Sequence, residues 1–321
     1  MMVYFIFLLS AVIVVFAAVQ LNRFGDVISR KSTLSGAVVG TFLIAGATSL
    51  PELTTSLTAV YIDNPDIAVG NMLGSNVFNL LIIAVVDMIY RKRKMFNAID
   101  EKQHMPTAVA GILFTLIVVA ALILPFDFSL FNIGIEMFIL VGLYIAATRF
   151  MNQGEEEEMD EAAAGKDYTL KTAVIGFIVA ALIVFAAGSA LSISGDQLAQ
   201  QTGMSSSFVG SFLIAASTSL PELVTVLVAM KMSNYGMALG SILGSNLFNL
   251  QLLAVTDVFY QKGAILQSLS STHLPVALLS TAMLFLTVFM VNRKPKENSF
   301  RYAVPSLIMI VIYFAASYQL Y

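Results

Sequence analysis

Residues 40–57 read GTFLIAGATSLPELTTSL, and residues 210–227 read GSFLIAASTSLPELVTVL. The two stretches belong to a longer internal repeat, in which residues 34–90 align without a gap with residues 204–260. At this offset of 170, 30 of the 57 aligned positions are identical, which is far beyond chance. The sequence therefore predicts two related structural halves.

The repeat lies in a chain whose composition is that of a membrane protein. Of its 321 residues, 58% are apolar and 12% are charged, whereas an ordinary soluble domain has about 45–50% and about 25%. This excludes a water-soluble globular protein. The net charge of −3, with so little polar surface, excludes nucleic acid as a partner. Because cysteine is absent, thiolate metal sites and cysteine nucleophiles are excluded as well.

Turn residues and charges divide the chain into ten hydrophobic segments. Their lengths suit helices, which need about 20 apolar residues to cross a hydrocarbon core of about 30 Å, whereas barrel strands need about 10 residues of alternating pattern. The first segment is predicted to be a span and not a signal peptide, because no basic residue precedes its apolar run. The predicted spans are residues 1–22, 34–61, 65–90, 106–125, 130–149, 171–193, 205–231, 235–260, 273–292 and 302–320.

Each half contains five predicted spans, so the second half must enter the membrane from the opposite side. This predicts an all-α integral membrane protein of two inverted repeats, an organisation found in many secondary transporters. The predicted domains are a first five-helix repeat at residues 1–150, an acidic cytoplasmic linker at 151–170 and a second five-helix repeat at 171–321. Placing both termini outside puts 16 of the 17 Lys and Arg residues in cytoplasmic loops, with Lys262 the exception, as the positive-inside rule favours. We therefore expect a multi-pass protein of the plasma membrane.

Glu52 and Glu222 occupy the same position of the two copies, in the middle of predicted spans two and seven. An ionised side chain at that depth costs about 2.5–3.5 kcal/mol on insertion scales. No Lys, Arg or His lies at comparable depth, so the available partner is a bound cation or a proton. The alternative is a protonated glutamate that only forms hydrogen bonds between helices.

Pro51 and Pro221 immediately precede these glutamates. A proline inside a helix removes one backbone hydrogen bond and collides with the carbonyl four residues earlier, so helices two and seven are predicted to be broken there. The break frees carbonyl oxygens of residues 45–48 and 215–218, which is tolerated at membrane depth where they line a cavity. An ordinary proline kink is the alternative for either proline alone. Hydroxyl groups stand three and four residues before each glutamate, on Thr48, Ser49, Thr218 and Ser219.

Segments three and eight add neutral oxygens to this set. Each carries a serine and an asparagine four residues apart, which therefore share a helix face: Ser75 and Asn79 in segment three, and Ser245 and Asn249 in segment eight. Asn76 and Asn246 lie elsewhere on the same helices, where they could cap a helix or bridge two helices. The GxxxG motifs at residues 70–74 and 240–244 predict close helix packing.

Carboxylates, carbonyls, hydroxyls and amide oxygens, with no sulfur or imidazole, form a ligand set for hard cations. Calcium takes 6–8 oxygens in flexible geometry, and two carboxylates would neutralise its charge. Sodium could use the same oxygens. Transition metals that prefer nitrogen or sulfur are disfavoured by this inventory.

Other polar residues within or near the spans are predicted to be structural. Asp87 and Asp257 lie near span ends, where a solvated helix terminus or a pore-mouth position is expected. Glu136 has no acidic counterpart in the other half. His104 and His273 lie at predicted span ends, so water-exposed interfacial positions are favoured over a metal or proton-relay site.

At these motifs the chain resembles the cation/calcium exchanger superfamily, and it looks most like the sodium/calcium exchanger branch. Two copies of TSLPEL and two of GSNxFN at the same spacing are far more specific than one transporter motif. The resemblance implies a calcium site formed by two carboxylates and two backbone carbonyls, those of Glu52, Glu222, Thr48 and Thr218. It also implies flanking sodium sites that share the two carboxylates. Their further ligands would be Ser49, Ser75, Ser219, Ser245 and the carbonyls of Ala45 and Ala215.

The resemblance also implies that Asn79 and Asn249 complete a central cluster. Some relatives carry an aspartate where Asn249 stands, and its absence here argues against a potassium-dependent exchanger. Family members exchange several sodium ions for one calcium ion, with the first and sixth helices sliding against the remaining bundle. The resemblance therefore implies a secondary active sodium/calcium antiporter that works by alternating access.

Two alternatives use the same residues. A proton/calcium antiporter would load protons on the glutamates, and a passive cation channel would use the oxygens as a filter without alternating access. An enzyme is not expected, because no histidine or cysteine stands beside the carboxylates to activate them. The expected partners are calcium, sodium and the lipid bilayer, no cofactor is expected besides the transported ions, and the oligomeric state stays open.

Overall fold

The chain folds as a nearly all-helical bundle. The first part of predicted span two and most of the acidic linker lie outside the described residues. The computed structural model describes residues 1–31, 45–124, 128–151, 168–293 and 299–321.

The first half of the chain contains seven described helices and a two-residue hairpin. The helices are α1 (Met2–Lys31), α2 (Ala45–Thr48), α3 (Leu50–Tyr61), α4 (Pro65–Ile89), α5 (Met95–Ala98), α6 (Glu101–Ile123) and α7 (Ile135–Met151). A 3₁₀ turn at Arg91–Arg93 follows α4, and the antiparallel strands β1 (Ser129–Leu130) and β2 (Ile133–Gly134) precede α7.

The second half repeats this order. Its helices are α8 (Leu170–Thr202), α9 (Ser206–Thr218), α10 (Leu220–Lys231), α11 (Tyr235–Phe259), α12 (His273–Asn292) and α13 (Ser299–Leu320). The middle of α9, Val209–Ile214, is π-helical, and a 3₁₀ turn at Ile265–Ser268 precedes α12.

Seven helices in the described part of the chain are long and apolar enough to cross a membrane, and the bent pair α9 and α10 is an eighth if counted as one span. Two of the seven extend well beyond the C-terminal ends of their predicted spans. The helix predicted at residues 1–22 continues to Lys31, and the one predicted at 171–193 continues to Thr202. The predicted spans end where polar residues begin, but a helix does not need to stop at the membrane surface. The count of ten spans and their inverted arrangement stay predictions.

The same turn joins α3 to α4 and α10 to α11. Asp63 and Ser233, one repeat apart, both adopt left-handed backbone conformations, with φ of 64° and 57°. The next residues, Asn64 and Asn234, then accept a hydrogen bond from the backbone N–H three residues later, the usual role of asparagine before a helix. The repeated sequence thus gives a repeated local structure.

Helices α4 and α11 form the centre of the bundle, and both are buried along most of their length. Helix α1 packs along α8, partly through a small apolar cluster that includes Leu21, Val184 and Ala47 of α2. Both helices also contribute residues to the main core, such as Val14 and Leu191. Most of the remaining surface of α1 and α8 is exposed. The pair therefore lies at the periphery, against the central bundle.

The glycines at residues 70–74 allow α4 to approach the π-helical part of α9 backbone to backbone. A Cβ atom added at Gly74 would lie 2.0 Å from the carbonyl oxygen of Ser211, and one added at Gly70 would lie 3.1 Å from Ser211 Oγ. The close packing predicted for this motif is confirmed. In the second motif Gly240 adjoins His104, whereas nothing among the described residues lies within 4 Å of a Cβ added at Gly244.

Candidate functional site

The site is built around two helix interruptions, one in each half. Helices α2 and α3 are separated at Ser49, and α9 and α10 at Ser219, with nearly the same backbone dihedrals, φ −96° and ψ 9° against φ −90° and ψ 2°. Each interruption falls two residues before the proline of the TSLPEL motif, as expected from the missing N–H group. Across the second interruption the helix axis bends by 42°. Glu52 and Glu222 thus lie in the first turn after a break.

Glu52 is completely buried, and hydroxyl groups from both halves surround its carboxylate. Its Oε1 lies 3.5 Å from Ser75 Oγ in α4 and 3.4 Å from Ser219 Oγ at the break between α9 and α10. Its other carboxylate oxygen, Oε2, is buried without a hydrogen-bond partner in the described part of the chain.

Glu222 is buried to a similar extent. It is 2% exposed, and its Oε2 is also buried with no hydrogen-bond partner among the described atoms. Glu222 follows Ser219 by three residues, and the hydroxyl of Ser219 lies 3.4 Å from Glu52 Oε1. Two carboxyl groups from opposite halves are therefore held near each other in the interior.

Thr218 and Asn71 connect the carboxylate cluster to the surrounding helices. Thr218 Oγ1 lies 3.4 Å from Ser75 Oγ and donates to Asn71 Oδ1 at 3.1 Å. The amide of Asn71 in turn donates to the backbone carbonyl of Glu52 at 3.2 Å and to Thr55 Oγ1 at 2.6 Å. Asn71 thereby links α3 to the break in the second half.

The sequence analysis does not single out Asn71, because its repeat counterpart is Ser241 and the predicted site residues are those that recur in both halves. A signal was nevertheless present. Asn71, Ser75 and Asn79 follow one another at intervals of four residues, which places them on one helix face.

Four asparagines join α4 to α11. Asn76 Nδ2 donates to the backbone carbonyl of Asn246 and Asn246 Nδ2 donates to that of Asn76, both at 3.1 Å. Asn79 Nδ2 donates to Asn246 Oδ1, and Asn249 Nδ2 donates to Asn76 Oδ1, both at 3.0 Å. Of the two roles open to Asn76 and Asn246, bridging between helices is the one observed.

The remaining predicted site residues lie around this centre with different surroundings. Ser49 is 2% exposed, and its hydroxyl has no hydrogen-bond partner within the described ranges. The carbonyl of Ala215 accepts hydrogen bonds from the N–H of Ser219 at 3.0 Å and from Thr218 Oγ1 at 3.3 Å. Ser245 is buried in α11. Ala45 and Thr48 are the first and last residues of α2.

The prediction of solvated positions for Asp87 and Asp257 is wrong, because each is only 1% exposed. Asp87 accepts hydrogen bonds from the hydroxyls of Tyr302 at 2.5 Å and Ser306 at 2.6 Å. Asp257 accepts two backbone N–H groups, at 2.8 and 2.6 Å. Three of these four donors come from distant parts of the chain, and both carboxylates have protein donors in place of water.

The prediction of water-exposed histidines is also wrong. His273 is fully buried, and its Nε2 lies 2.8 Å from Asp66 Oδ1 and 3.0 Å from Ser207 Oγ. His104 is 6% exposed and packs against Gly236 and Gly240 of α11. Both histidines do lie near helix N-termini, but the helices and loops around those ends cover them.

The chemistry of the carboxylate cluster is that of oxygen alone. No group of three or more His, Cys, Asp or Glu residues that could hold a metal occurs among the described residues. The cluster instead offers two carboxylates with hydroxyl and amide oxygens around them. Buried charges of this kind are tolerated when a counter-charge neutralises them, and two negative charges are balanced by one divalent cation, two monovalent cations or two protons.

Comparison with known proteins gives consistent matches. A family profile described as "Sodium/calcium exchanger protein" matches residues 2–151 and 172–321. The "Uncharacterized membrane protein MJ0091" of Methanocaldococcus jannaschii is 30% identical over 256 residues, which cover 79% of this chain and 80% of that protein. The "Ca(2+)/H(+) antiporter ChaA" of Bacillus subtilis is 25% identical over 264 residues, covering 74% and 72%. A solved structure of the sodium-calcium exchanger NCX_Mj has a TM-score of 0.57 at 23% identity, covering 98% of this chain and 97% of that one.

Proposed function

The chain belongs to the sodium/calcium exchanger family, and from this membership we propose that it is a secondary active antiporter exchanging sodium for calcium. The observation that carries the proposal is the buried pair Glu52 and Glu222, each with a carboxylate oxygen that lacks a hydrogen-bond partner in the described part of the chain. Leaving such charges unbalanced in the membrane is costly. One calcium ion or two sodium ions would balance them.

The calcium site of this proposal consists of the two carboxylates with the backbone carbonyls of Thr48 and Thr218. Calcium accepts mixed carboxylate and carbonyl oxygens in flexible geometry. Both threonines are the last residue before a helix interruption, where carbonyls have lost their helical partners. This supports their use as ligands.

The proposed sodium sites flank the same carboxylates. The contacts of Glu52 Oε1 with Ser75 and Ser219 support this assignment, because they place neutral hydroxyl oxygens next to a carboxylate. Sodium and calcium would then compete for the two carboxylates, because two negative charges cannot neutralise both kinds of cation at once. The further proposed ligands are Ser49, Ser245 and the carbonyls of Ala45 and Ala215.

The proposed mechanism is alternating access, which ten spans in two inverted repeats would allow. In the proposed topology both termini lie outside, and the acidic linker lies in the cytoplasm of a plasma-membrane protein. The matching turns after α3 and α10 support a common structure for the halves. The peripheral position of α1 and α8, most of whose surface is exposed, supports sliding of these two helices past the central bundle.

Proton/calcium exchange is the second candidate, and the relative named Ca(2+)/H(+) antiporter favours it. Protons can neutralise the same two carboxylates without any serine ligand. The two candidates therefore differ in the role of Ser75 and Ser219, which sodium needs and protons do not.

The test is uptake of calcium-45 into proteoliposomes containing the purified chain. We expect rapid uptake when the vesicles are loaded with sodium and little uptake when they are loaded with potassium at the same pH. Uptake driven by an outward proton gradient alone would replace sodium by protons as the coupling ion. Equal uptake under all three conditions would contradict antiport and indicate a passive pathway.

A further inference from the structure

The four asparagines between α4 and α11 form a closed, crossed arrangement that we call the asparagine brace: Asn76, Asn79, Asn246 and Asn249. All four are at most 2% exposed. The two inner members, Asn76 and Asn246, use both atoms of their amides within the brace, since each donates to a backbone carbonyl and accepts from a side chain of the opposite helix.

The two outer members are engaged on one side only. Asn79 and Asn249 donate their Nδ2 groups into the brace. Their Oδ1 atoms are buried and have no hydrogen-bond partner among the described residues. A carboxamide carries an acceptor and a donor on the same carbon, so the atom that enters the brace determines which atom remains outside it.

The inner asparagines determine that choice. The atom they present to the outer amide is an oxygen, which accepts an N–H group but would repel another carbonyl oxygen. Asn249 Nδ2 lies 3.0 Å from Asn76 Oδ1. If the amide of Asn249 were flipped, its Oδ1 would take this place and two oxygen atoms would face each other. The same reasoning applies to Asn79 and Asn246, at 3.0 Å. Flipping would also turn an N–H donor outward, where it would repel a cation.

We propose that Asn76 and Asn246 are positioning residues that hold the amide oxygens of Asn249 and Asn79 outward as cation ligands. The proposal rests on the cation exchange proposed above. The positioning is crossed between the two helices, because Asn76 in α4 orients a residue of α11 and Asn246 in α11 orients a residue of α4. Both halves of the bundle must therefore be assembled before either amide is oriented.

This role differs from simple packing of α4 against α11. A packing contact stabilises the fold whichever atom the outer amide presents. A positioning residue acts on cation affinity, and only through its own partner. Groups that orient metal ligands in this way typically change metal affinity by about 10–100-fold when they are removed.

The test is a double-mutant cycle read by calcium-45 uptake into sodium-loaded proteoliposomes and by calorimetric calcium binding to the purified protein. We expect Asn76→Ala to raise the half-saturating calcium concentration about tenfold and Asn249→Ala to raise it similarly. In the Asn249→Ala background, Asn76→Ala should have almost no further effect. In the Asn79→Ala background, by contrast, it should keep its full effect.

The result that overturns the proposal is an equal effect of Asn76→Ala in all backgrounds, or no effect on affinity. Asn76→Leu, which keeps the branched shape and the number of heavy atoms of the side chain, replaces the alanine variant if the latter does not fold, and failure of both to fold would assign the brace to structure. Thr256→Val is the matched control, because Thr256 is buried in α11 but bonds within its own helix, to Leu252, at 2.8 Å. If the wild type binds calcium but does not transport it, only the antiport is contradicted, because the cycle can still be read by calorimetry. If the wild type binds no calcium, both the antiport and the positioning role are contradicted.

Discussion

Ser219 Oγ lies 3.4 Å from Glu52 Oε1, although the two residues are 167 positions apart in the chain. The serine is the residue at which the helix of the second half is interrupted, and the glutamate follows the corresponding interruption in the first half. The second half thus contributes to the surroundings of a carboxylate in the first half. A functional site at this point requires both halves.

Replacing either central glutamate by glutamine should abolish calcium transport. Glu52→Gln and Glu222→Gln keep the size of the side chain but remove the negative charge that would balance a cation. We expect sodium-driven calcium-45 uptake to fall by at least about tenfold in each variant. Glu136→Gln is the control, since this glutamate is also buried but lies outside the cluster, and it should retain transport. Normal uptake by either central variant would remove the pair from the mechanism.

Gly74→Ala should disrupt the packing of α4 against α9. The added Cβ atom would lie 2.0 Å from the backbone carbonyl oxygen of Ser211, and backbone cannot move aside as a flexible side chain can. We expect a loss of stability of about 1–3 kcal/mol or more, measured as a lower thermal unfolding midpoint in detergent. Gly111→Ala in α6, where the new Cβ would lie at an ordinary van der Waals distance of 3.7 Å from the side chain of Leu284, should not lower the midpoint. Equal midpoints for the two variants would show that the close approach is wrong.

Tyr302→Phe should destabilise the protein without changing the identity of the transported ions. It removes the hydroxyl that hydrogen-bonds Asp87 at 2.5 Å and leaves a buried carboxylate with one fewer donor. Loss of a hydrogen bond to a buried charged group costs about 1–3 kcal/mol, which should appear as a lower unfolding midpoint. Tyr318→Phe is the control. It also removes a tyrosine hydroxyl, but from a side chain that is 85% exposed, and it should not change the unfolding midpoint. An unchanged midpoint for Tyr302→Phe would contradict the buried hydrogen bond.

The membrane orientation can be tested by cysteine labelling, since the chain has no cysteine of its own. Lys262 is exposed in the structure and is predicted outside, whereas Lys92, also exposed, is predicted in the cytoplasm. In intact cells, a membrane-impermeant maleimide should label Lys262→Cys and should label Lys92→Cys only after the membrane is opened. Labelling of both from the same side would contradict the proposed topology.

Much of the site could be predicted because its signals are local. Pro51 and Pro221 disrupt hydrogen bonds within their own helices, so the interruptions at Ser49 and Ser219 were expected from neighbouring residues. The depth of Glu52 followed from the apolar residues around it. The repeat then predicted the same features in the second half.

The unpredicted features depend on contacts between distant segments. Asp87 is buried because Tyr302, 215 positions away, supplies a hydroxyl, and no pattern near Asp87 indicates this. Asn71 corresponds to Ser241 in the other half, so the residue type does not recur and the repeat does not indicate it. The bridging role of Asn76 became visible only when the two central helices were placed side by side.

The central claim is that Glu52 and Glu222 form one charge pair for which calcium and sodium compete. The most direct test is calorimetric titration of calcium into the purified wild-type chain and into Glu222→Gln, each with and without sodium and with choline as the balancing cation. The account predicts that sodium weakens calcium binding to the wild type more strongly at each higher sodium concentration and that the variant binds little calcium. Calcium binding that is unchanged by sodium and by the substitution would contradict it.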